Sequence, residues 1–388
     1  MAQSSTNKVE TQIVQDVVGR LDAVREVMLA EYRKRHNDPW LVAYSGGKDS
    51  TLLLHLVWEI MLSLPPEERK RQIHVIANDT LVESPLVIQH LKNSLSVIRE
   101  AAEQAGLPVR VTITKPYVDQ TFWVNLIGRG YIPPTRNFRW CTDRMKILPT
   151  ERLLEKLLLT HKRAVLLVGT RRSESQNRQR NMKKHGVKAH KMNPHGNIKG
   201  CRMFAPLADL QDQDVWMILM QLKPPWGDSH RNLVTLYRNA SGGECPLVLS
   251  KEDAPSCGTT SPRFGCWTCT VVQKDKSLRG LIDAGHEEEE KLEALADFRE
   301  WLIKLREDDE NRMPVRRDGK VRIKANGNRV MGPFLLEVRQ EILAALQELE
   351  EEVGERIIST SEIEMIQDIW RVDKIREDGR LALIKTCT

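Results

Sequence analysis

The chain has 388 residues and carries 59 Lys and Arg against 53 Asp and Glu, a net charge of +6 near neutrality. That length allows a large core and two or three domains. No apolar run reaches membrane-spanning length and the polar start Met1–Asn7 is not a secretory signal, so a cytoplasmic protein with no membrane association is expected.

The first element is an amphipathic helix, with Ile13, Val17, Leu21, Val24 and Met28 at helical spacing. A short apolar strand, Trp40–Tyr44, then runs into Ser45-Gly46-Gly47-Lys48-Asp49-Ser50, and Thr51–Trp58 continues as a helix. A strand that turns through glycines into a helix aims backbone N–H groups and the positive end of the helix dipole at one point, which suits phosphate. Lys48 adds a point charge, and Ser45 and Ser50 add hydroxyls. A Walker loop is excluded, because its first glycine falls on Val42 and Asp49 follows the lysine. A second strand, Ile73–Ala77, ends in Asn78, Asp79 and Thr80, which are candidate nucleotide contacts because parallel sheets bind ligands beyond their carboxyl ends. A helix over about 85–104 leads to a third strand, Val109–Thr114.

The segment Tyr131–Lys146 combines a proline break with Arg136, Arg139, Cys141, Arg144 and Lys146, a set fit to gather polyanions. Ala164–Val168 is a buried strand that runs into Gly169-Thr170-Arg171-Arg172-Ser173-Glu174-Ser175. From Arg171 to Cys201 nine Lys and Arg face one acid, Glu174, while Gly186, Pro194 and Gly196 interrupt any helix. Such a mobile basic segment is a candidate nucleic-acid clamp. Phe204–Trp216 reads as a strand end followed by a helix whose first turn is acidic.

Seven cysteines do not make a tidy set of disulfides, and clustered cysteines in a cytosolic chain serve metals or redox chemistry. Cys257, Cys266 and Cys269 lie within thirteen residues, and Cys141 belongs to the basic segment above. This set of four thiols suits zinc or a [4Fe–4S] cluster, and Cys266-x-x-Cys269 alone suits a redox dithiol; spacing leaves the three open. Cys201, Cys245 and Cys387 stand apart, as structural or incidental residues. Beyond Gly285 two apolar stripes, Leu292–Leu305 and Leu335–Leu349, indicate helices, joined by a basic hairpin-like connection from Arg312 to Lys324.

Ser45–Ser50, the Trp140-Cys141-Thr142 segment with Lys146, Gly169–Ser175 and Pro206-Leu207 with Asp214-Val215-Trp216 resemble the ATP pyrophosphatase / PAPS reductase superfamily. Arg263-Phe264-Gly265-Cys266-Trp267-Thr268-Cys269-Thr270, with Lys274–Ser277 behind it, is most similar to the DndC family, sulfurtransferases of bacterial DNA phosphorothioation. The resemblance covers roughly residues 10 to 285. It implies an α/β fold with a parallel-sheet, PAPS reductase-like domain over 1–240 and a cysteine-rich cluster-binding segment over 241–285; the apolar stripes beyond it make 286–388 a helical accessory region. It implies ATP and Mg2+ at Ser45, Gly46, Gly47, Lys48, Asp49 and Ser50, with Asn78, Asp79 and Thr80 beside the adenosine. Lys48, Asp49, Arg144, Lys146 and Arg171 are the expected catalytic residues, and Cys141, Cys257, Cys266 and Cys269 the expected ligands of a [4Fe–4S] cluster. DNA, a cysteine desulfurase and other phosphorothioation subunits, including an SMC-like ATPase, are the implied partners. The rivals are a PAPS or adenylylsulfate reductase, a tRNA thiolase, and a non-catalytic DNA-binding subunit.

Overall fold

The computed structural model describes residues 2–227, 229–240, 265–283, 288–323, 327 and 329–386, with side chains between 14 and 374. In chain order it runs α1 (Ala2–Tyr32), β1 (Trp40–Ala43), α2 (Lys48–Ser63), β2 (Ile73–Asn78), α3 (Pro85–Gln104), β3 (Val109–Thr114), α4 (Trp140–Thr142), α5 (Leu148–His161), β4 (Ala164–Leu167), α6 (Gln176–Lys184), β5 (Asn193–Pro194), β6 (Cys201–Phe204), α7 (Asp212–Gln221), α8 (Arg231–Ala240), α9 (Lys276–Asp283), α10 (Glu289–Glu307), α11 (Leu336–Val353) and α12 (Thr360–Thr386). Two compact units result, one of residues 1–78, 85–114 and 150–264, the other of 79–84, 115–149 and 265–388.

The first unit is the α/β fold expected from the sequence. Its sheet has the order β3-β2-β1-β4-β6-β5, parallel throughout except for β5. The central strands are almost wholly buried, as strands covered on both faces must be, so their sequences read as continuous apolar runs. The chain winds outward from β1 through β2 to β3, then returns to place β4 on the other side of β1. Strand order therefore reverses between β1 and β4, and the loops after these two strands leave the same edge of the sheet. That reversal is where open parallel sheets hold ligands.

Packing on the sheet follows the periodicity. Val17, Leu21, Val24 and Met28 of α1 are buried against the main core, with Trp40, Leu53 and Trp216. Two ion pairs fix α1 laterally: Arg20 grips Asp214 of α7 at 2.7 and 3.0 Å, and Arg25 grips Glu59 of α2 at 2.9 and 3.0 Å. Buried Arg71 closes the carboxyl end of α1, donating to the carbonyls of Tyr32 (2.8 Å), Lys34 (3.1 Å) and Glu31 (3.2 Å). Those carbonyls have no partner within the helix, so a planar five-donor side chain is suited to the task. The basic stretch after Arg171 is more ordered than its composition suggests. Ser175 caps α6 by accepting from Arg178 N, and the helix runs to Lys184 before Gly186 turns the chain at φ +60°.

The second unit is mainly helical. Its core joins Phe122, Trp123, Trp140 and Trp267 to the apolar faces of α10 and α11 and to Ile366 of α12. Both stripes read from the sequence are buried: Leu292, Leu295, Phe298 and Leu302 on α10, and Val338, Ile342, Leu346 and Leu349 on α11. Residues 124–128 and 143–147 are single π-helical turns, which the sequence does not announce. No helix among the described residues is long and apolar enough to cross a membrane.

Candidate functional site

In the first unit the loop after β1 opens onto the N-terminus of α2. Gly46 sits at φ +73°, a conformation that L side chains rarely adopt. Gly47 is the residue ahead of α2 and has no side chain of its own to cap the helix. First-turn N–H groups and the helix dipole at a sheet reversal favour an anion. Ser50 shapes the turn instead: its Oγ accepts from Ser45 N at 3.1 Å and donates to the Gly47 carbonyl at 2.9 Å.

Four charged side chains meet at this loop. Arg171, fully buried, donates Nε to Asp49 Oδ1 at 2.6 Å and Nη2 to Asp212 Oδ1 at 2.8 Å. Lys48 Nζ lies 3.2 Å from Asp212 Oδ1 and 3.4 Å from Asp49 Oδ2. The set is formally neutral, two cations against two carboxylates. Burial works against both cations, but Tyr237, Asp49 and Asp212 hold the Lys48 pKa above its ordinary value, and Asp49 and Asp212 do the same for Arg171. Both therefore stay charged at any physiological pH. Tyr237 closes the back of the loop, its hydroxyl 3.3 Å from the backbone nitrogen of Lys48. The loop after β4 approaches so closely that a Cβ on Gly169 would lie 2.9 Å from the carbonyl oxygen of Asp49. Its arginine is held in turn by Ser173, and its backbone by Glu174, whose carboxylate accepts from Arg171 N at 2.8 Å.

A different constellation lies in the second unit. Cys141, Cys266 and Cys269 are free and half-buried there. Thr80 Oγ1 is 3.3 Å from Cys266 Sγ, and Glu83 forms a β-bridge with Cys266 while its carboxylate accepts from Thr80 N. Lys146 senses all three sulfurs: Cys266 above all, then Glu83, Cys141 and Cys269, keep its pKa above the ordinary value against the effect of burial. Burial pushes the Cys266 thiol up to about 12, with Lys146 opposing. The turn that carries the thiols is anchored from α10. Arg299, itself buried, donates to the carbonyls of Cys269 (2.7 Å), Val272 and Gln273 (3.1 Å). Arg306 spans the carbonyls of Pro134 (3.1 Å) and Thr270 (3.0 Å), tying the Cys266–Cys269 turn to the segment that leads to Cys141.

Among the described residues no three His, Cys, Asp or Glu side chains converge as the ligands of one ion would. A cubane cluster gives each thiolate its own iron, so its ligands need not meet at a point. Cys257, expected as the fourth ligand, lies outside the described residues, as do Cys245 and Cys387. Cys201 is buried in the sheet with its pKa raised to about 11, in keeping with a structural role.

The remaining expected site residues divide between the units. Asn78 ends β2 in the first, its side-chain oxygen accepting from Thr114 and from Thr150 at 3.0 Å. Asp79 and Thr80 belong to the second, where Asp79 accepts from Leu81 N at 2.9 Å and Thr80 is fully buried at the thiols. Arg144, also in the second, bonds Gln120 and donates to the Tyr131 hydroxyl at 3.2 Å, over whose ring it sits.

A family model described as the phosphoadenosine phosphosulfate reductase domain matches residues 39–272, more than half of the chain. The chain belongs to that family. Members of the phosphoadenosine phosphosulfate reductase domain family carry out nucleotide-dependent sulfur transfer or reduction. The chain is similar to uncharacterized protein MJ0066 of Methanocaldococcus jannaschii, 26% identical over 191 residues, which cover 48% of this chain and 32% of that protein. It thus spans about a third of the length of this curated relative. Among solved structures it is similar to the phosphoadenylyl-sulfate (PAPS) reductase of Candida auris, at 14% identity and a TM-score of 0.32, over 51% of this chain and 78% of that one. It is also similar to the U34-tRNA thiolase NcsA of Methanococcus maripaludis with its [4Fe-4S] cluster, at 12% identity and a TM-score of 0.34, over 74% and 80%.

Two residues that meet the phosphate loop of this reductase-family domain escape sequence reasoning. Asp212 reads as an ordinary acidic helix start, yet it is the second carboxylate on Arg171 and Lys48. Tyr237 carries no motif at all; only its place one residue before Arg238 on a strongly amphipathic α8 marks it as inward-facing.

Proposed function

We propose that this chain is the sulfurtransferase of a DNA phosphorothioation system, using ATP at the Ser45–Ser50 loop to activate a backbone phosphate. The observation that carries this reading is the Lys48–Asp49–Arg171–Asp212 cluster at the N-terminus of α2 on the sheet's reversal point. A nucleotide's β- and γ-phosphates suit the first turn of α2, with Lys48 neutralising charge as pyrophosphate forms. Asp49 and Asp212 would hold Mg2+, which supplies further neutralisation of the triphosphate. Arg171, clamped by the same two carboxylates, fixes their orientation. A nonbridging oxygen of the DNA phosphate attacks the α-phosphorus, the bond to the β-phosphate oxygen breaks, and pyrophosphate departs. The new adenylate turns an oxygen that leaves poorly into one that leaves as AMP. Persulfide sulfur from a cysteine desulfurase, released as sulfide by an external dithiol that is oxidised to its disulfide, then displaces AMP at the DNA phosphorus.

Cys141, Cys266 and Cys269, with Cys257, would hold a [4Fe–4S] cluster, which supplies a centre that binds sulfur or passes electrons. The residues at hand suit it: all three sulfurs act on the Lys146 ammonium, a positive charge to set against a cluster's negative one, and Thr80 brings its hydroxyl to Cys266. Other phosphorothioation subunits, including an SMC-like ATPase, complete the proposed system.

The decisive measurement is chromatographic analysis of the products from labelled ATP, with and without DNA. AMP and pyrophosphate are expected; ADP and orthophosphate would defeat the proposal. Sulfite formation from phosphoadenosine phosphosulfate, without ATP turnover, would favour a reductase, the reading that the family description itself suggests.

DNA contact is assigned to the basic stretch. Of its nine cations, Arg171 is consumed by the loop cluster, Arg172 pairs with Asp209 and Arg178 pairs with Glu174 at 3.3 Å, while Arg180, Lys183, Lys184, Lys188, Lys191 and Lys199 stay exposed. Each duplex phosphate that they neutralise contributes roughly 0.9 to the slope of log affinity against log salt. Lys183, Lys184, Lys188 and Lys191 changed together to Glu are expected to weaken binding and flatten that slope. A salt series on wild type and variant reads both; an unchanged slope would assign DNA contact to a partner.

A further inference from the structure

In the second unit no Asp or Glu occurs between Asp119 and Asp143. Within that stretch Thr135-Arg136-Asn137-Phe138 forms a tight turn. Phe138 N donates to the Thr135 carbonyl at 3.2 Å and to Thr135 Oγ1 at 3.1 Å, and Thr135 N donates back to the Phe138 carbonyl at 3.2 Å. Three hydrogen bonds across four residues leave the turn little freedom. Pro133 and Pro134, both buried, fix its base, and the Pro134 carbonyl accepts from Thr270 Oγ1 at 2.7 Å.

The turn displays an aromatic ring among cations. Arg136, Asn137 and Arg139 are exposed, and so is Phe138, with 43% of its surface in solvent. The phenyl ring is braced from behind by Tyr131, which meets it edge-on at 6.0 Å and meets buried Trp140 edge-on at 5.7 Å. The guanidinium of Arg144 lies over the Tyr131 ring at 5.4 Å and donates to Gln120 and to the Tyr131 hydroxyl, both neutral. Among the described residues, none of Arg136, Arg139 and Arg144 pairs with a carboxylate. An apolar protein surface would cover Phe138 but strip water from the arginines without replacing it. An acidic peptide would satisfy the arginines and leave the ring idle. A nucleic-acid strand offers both contacts together, since every base has a flat face and is flanked by phosphates.

We infer that the Thr135–Arg139 turn grips the DNA strand itself, Phe138 stacking on a base while Arg136 and Arg139 engage the phosphates on either side. The inference rests on the reading of DNA as the substrate, and it adds a contact separate from the basic stretch of the first unit. Its place in the chain gives it a use. Cys141 follows Arg139 by two residues, which span at most about 7 Å, so a strand held by the turn passes close to the thiols. Two sources of a stackable base exist: one already unpaired in a single strand, or one laid bare when Phe138 enters a duplex step as a wedge.

The test is binding of the full chain to single-stranded and duplex oligonucleotides of one sequence, read by fluorescence anisotropy across a salt series. 2-Aminopurine at successive positions reports the stacking of individual bases. Phe138→Ala is expected to weaken binding roughly fivefold to a hundredfold, the loss of one base–aromatic stack, whereas Phe138→Trp keeps it. Arg136→Gln with Arg139→Gln is expected to lower the slope of log affinity against log salt by about 0.7 per arginine on single strand and about 0.9 on duplex. Preference for the single strand identifies an unpaired base as the stacking partner. Duplex binding as tight or tighter, with 2-aminopurine brightened at one step, identifies a wedged step. Phe138→Ala and the arginine pair both binding as wild type does, or no binding of either oligonucleotide by wild type, would overturn the assignment. AMP and pyrophosphate in the product analysis would then leave the sulfurtransferase reading intact, so the two fail separately.

Discussion

Lys48→Ala is expected to lower pyrophosphate release from ATP by about a hundredfold to a thousandfold, the usual loss when one preorganised charge is removed from a developing oxyanion. Asp49→Ala should be as damaging for a different reason. It takes away a proposed Mg2+ ligand and leaves buried Arg171 with Asp212 as its remaining carboxylate at the loop. Gly169→Ala is the sharper probe, since it alters no functional group. Its Cβ would press on the Asp49 backbone, which has no flexible end to swing aside, so the loop must shift. A pyrophosphatase-coupled assay alongside thermal unfolding separates lost chemistry from lost structure. Full activity in Lys48→Ala would mean that the loop is not the phosphate site.

The strands and the phosphate turn are open to reading because each is local. A continuous apolar run can be only a buried strand or helix segment, and Gly46-Gly47 between two such runs forces a turn. Arg171 is legible as a member of a motif, but its partners are not. Asp49 and Arg171 are 122 residues apart and Lys48 and Tyr237 are 189 apart, so nothing in local spacing joins them. Asp49 and Arg171 meet because β1 and β4 are neighbours, a fact of sheet order. The thiols show the opposite balance. Cys266-x-x-Cys269 is conspicuous in sequence, whereas Thr80 and Glu83 beside Cys266 look like residues after a nucleotide-binding strand. The basic stretch is over-counted for a simple reason: composition does not reveal which arginines are already engaged in ion pairs.

Protein purified without oxygen is expected to be brown and to hold about four iron atoms per chain, as a cubane cluster requires. Cys141→Ser, Cys266→Ser and Cys269→Ser should each lose the visible absorption and most of the iron. Cys201→Ser serves as the control, since its thiol is buried in the sheet and should leave the iron in place. Iron analysis and absorption spectra read all four. Stoichiometric zinc with no iron in anaerobic preparations would replace the cluster by a zinc site.

The family match stops at residue 272, but the fold does not. Arg299 and Arg306 reach back from α10 to five carbonyls, three of them within Cys269–Val272 and Pro134 and Gln273 beside them. A chain cut at the end of the matched region would leave those oxygens facing nothing but solvent, and the thiol-bearing turn would lose the guanidinium groups that set its shape. Evolution's unit of inheritance and the physical unit of assembly therefore have different borders in this protein. Any homologue that keeps the cysteine turn must also find donors for it, whether from a comparable helix or from another chain. The C-terminal helices are in that sense the mould in which the thiol turn is cast.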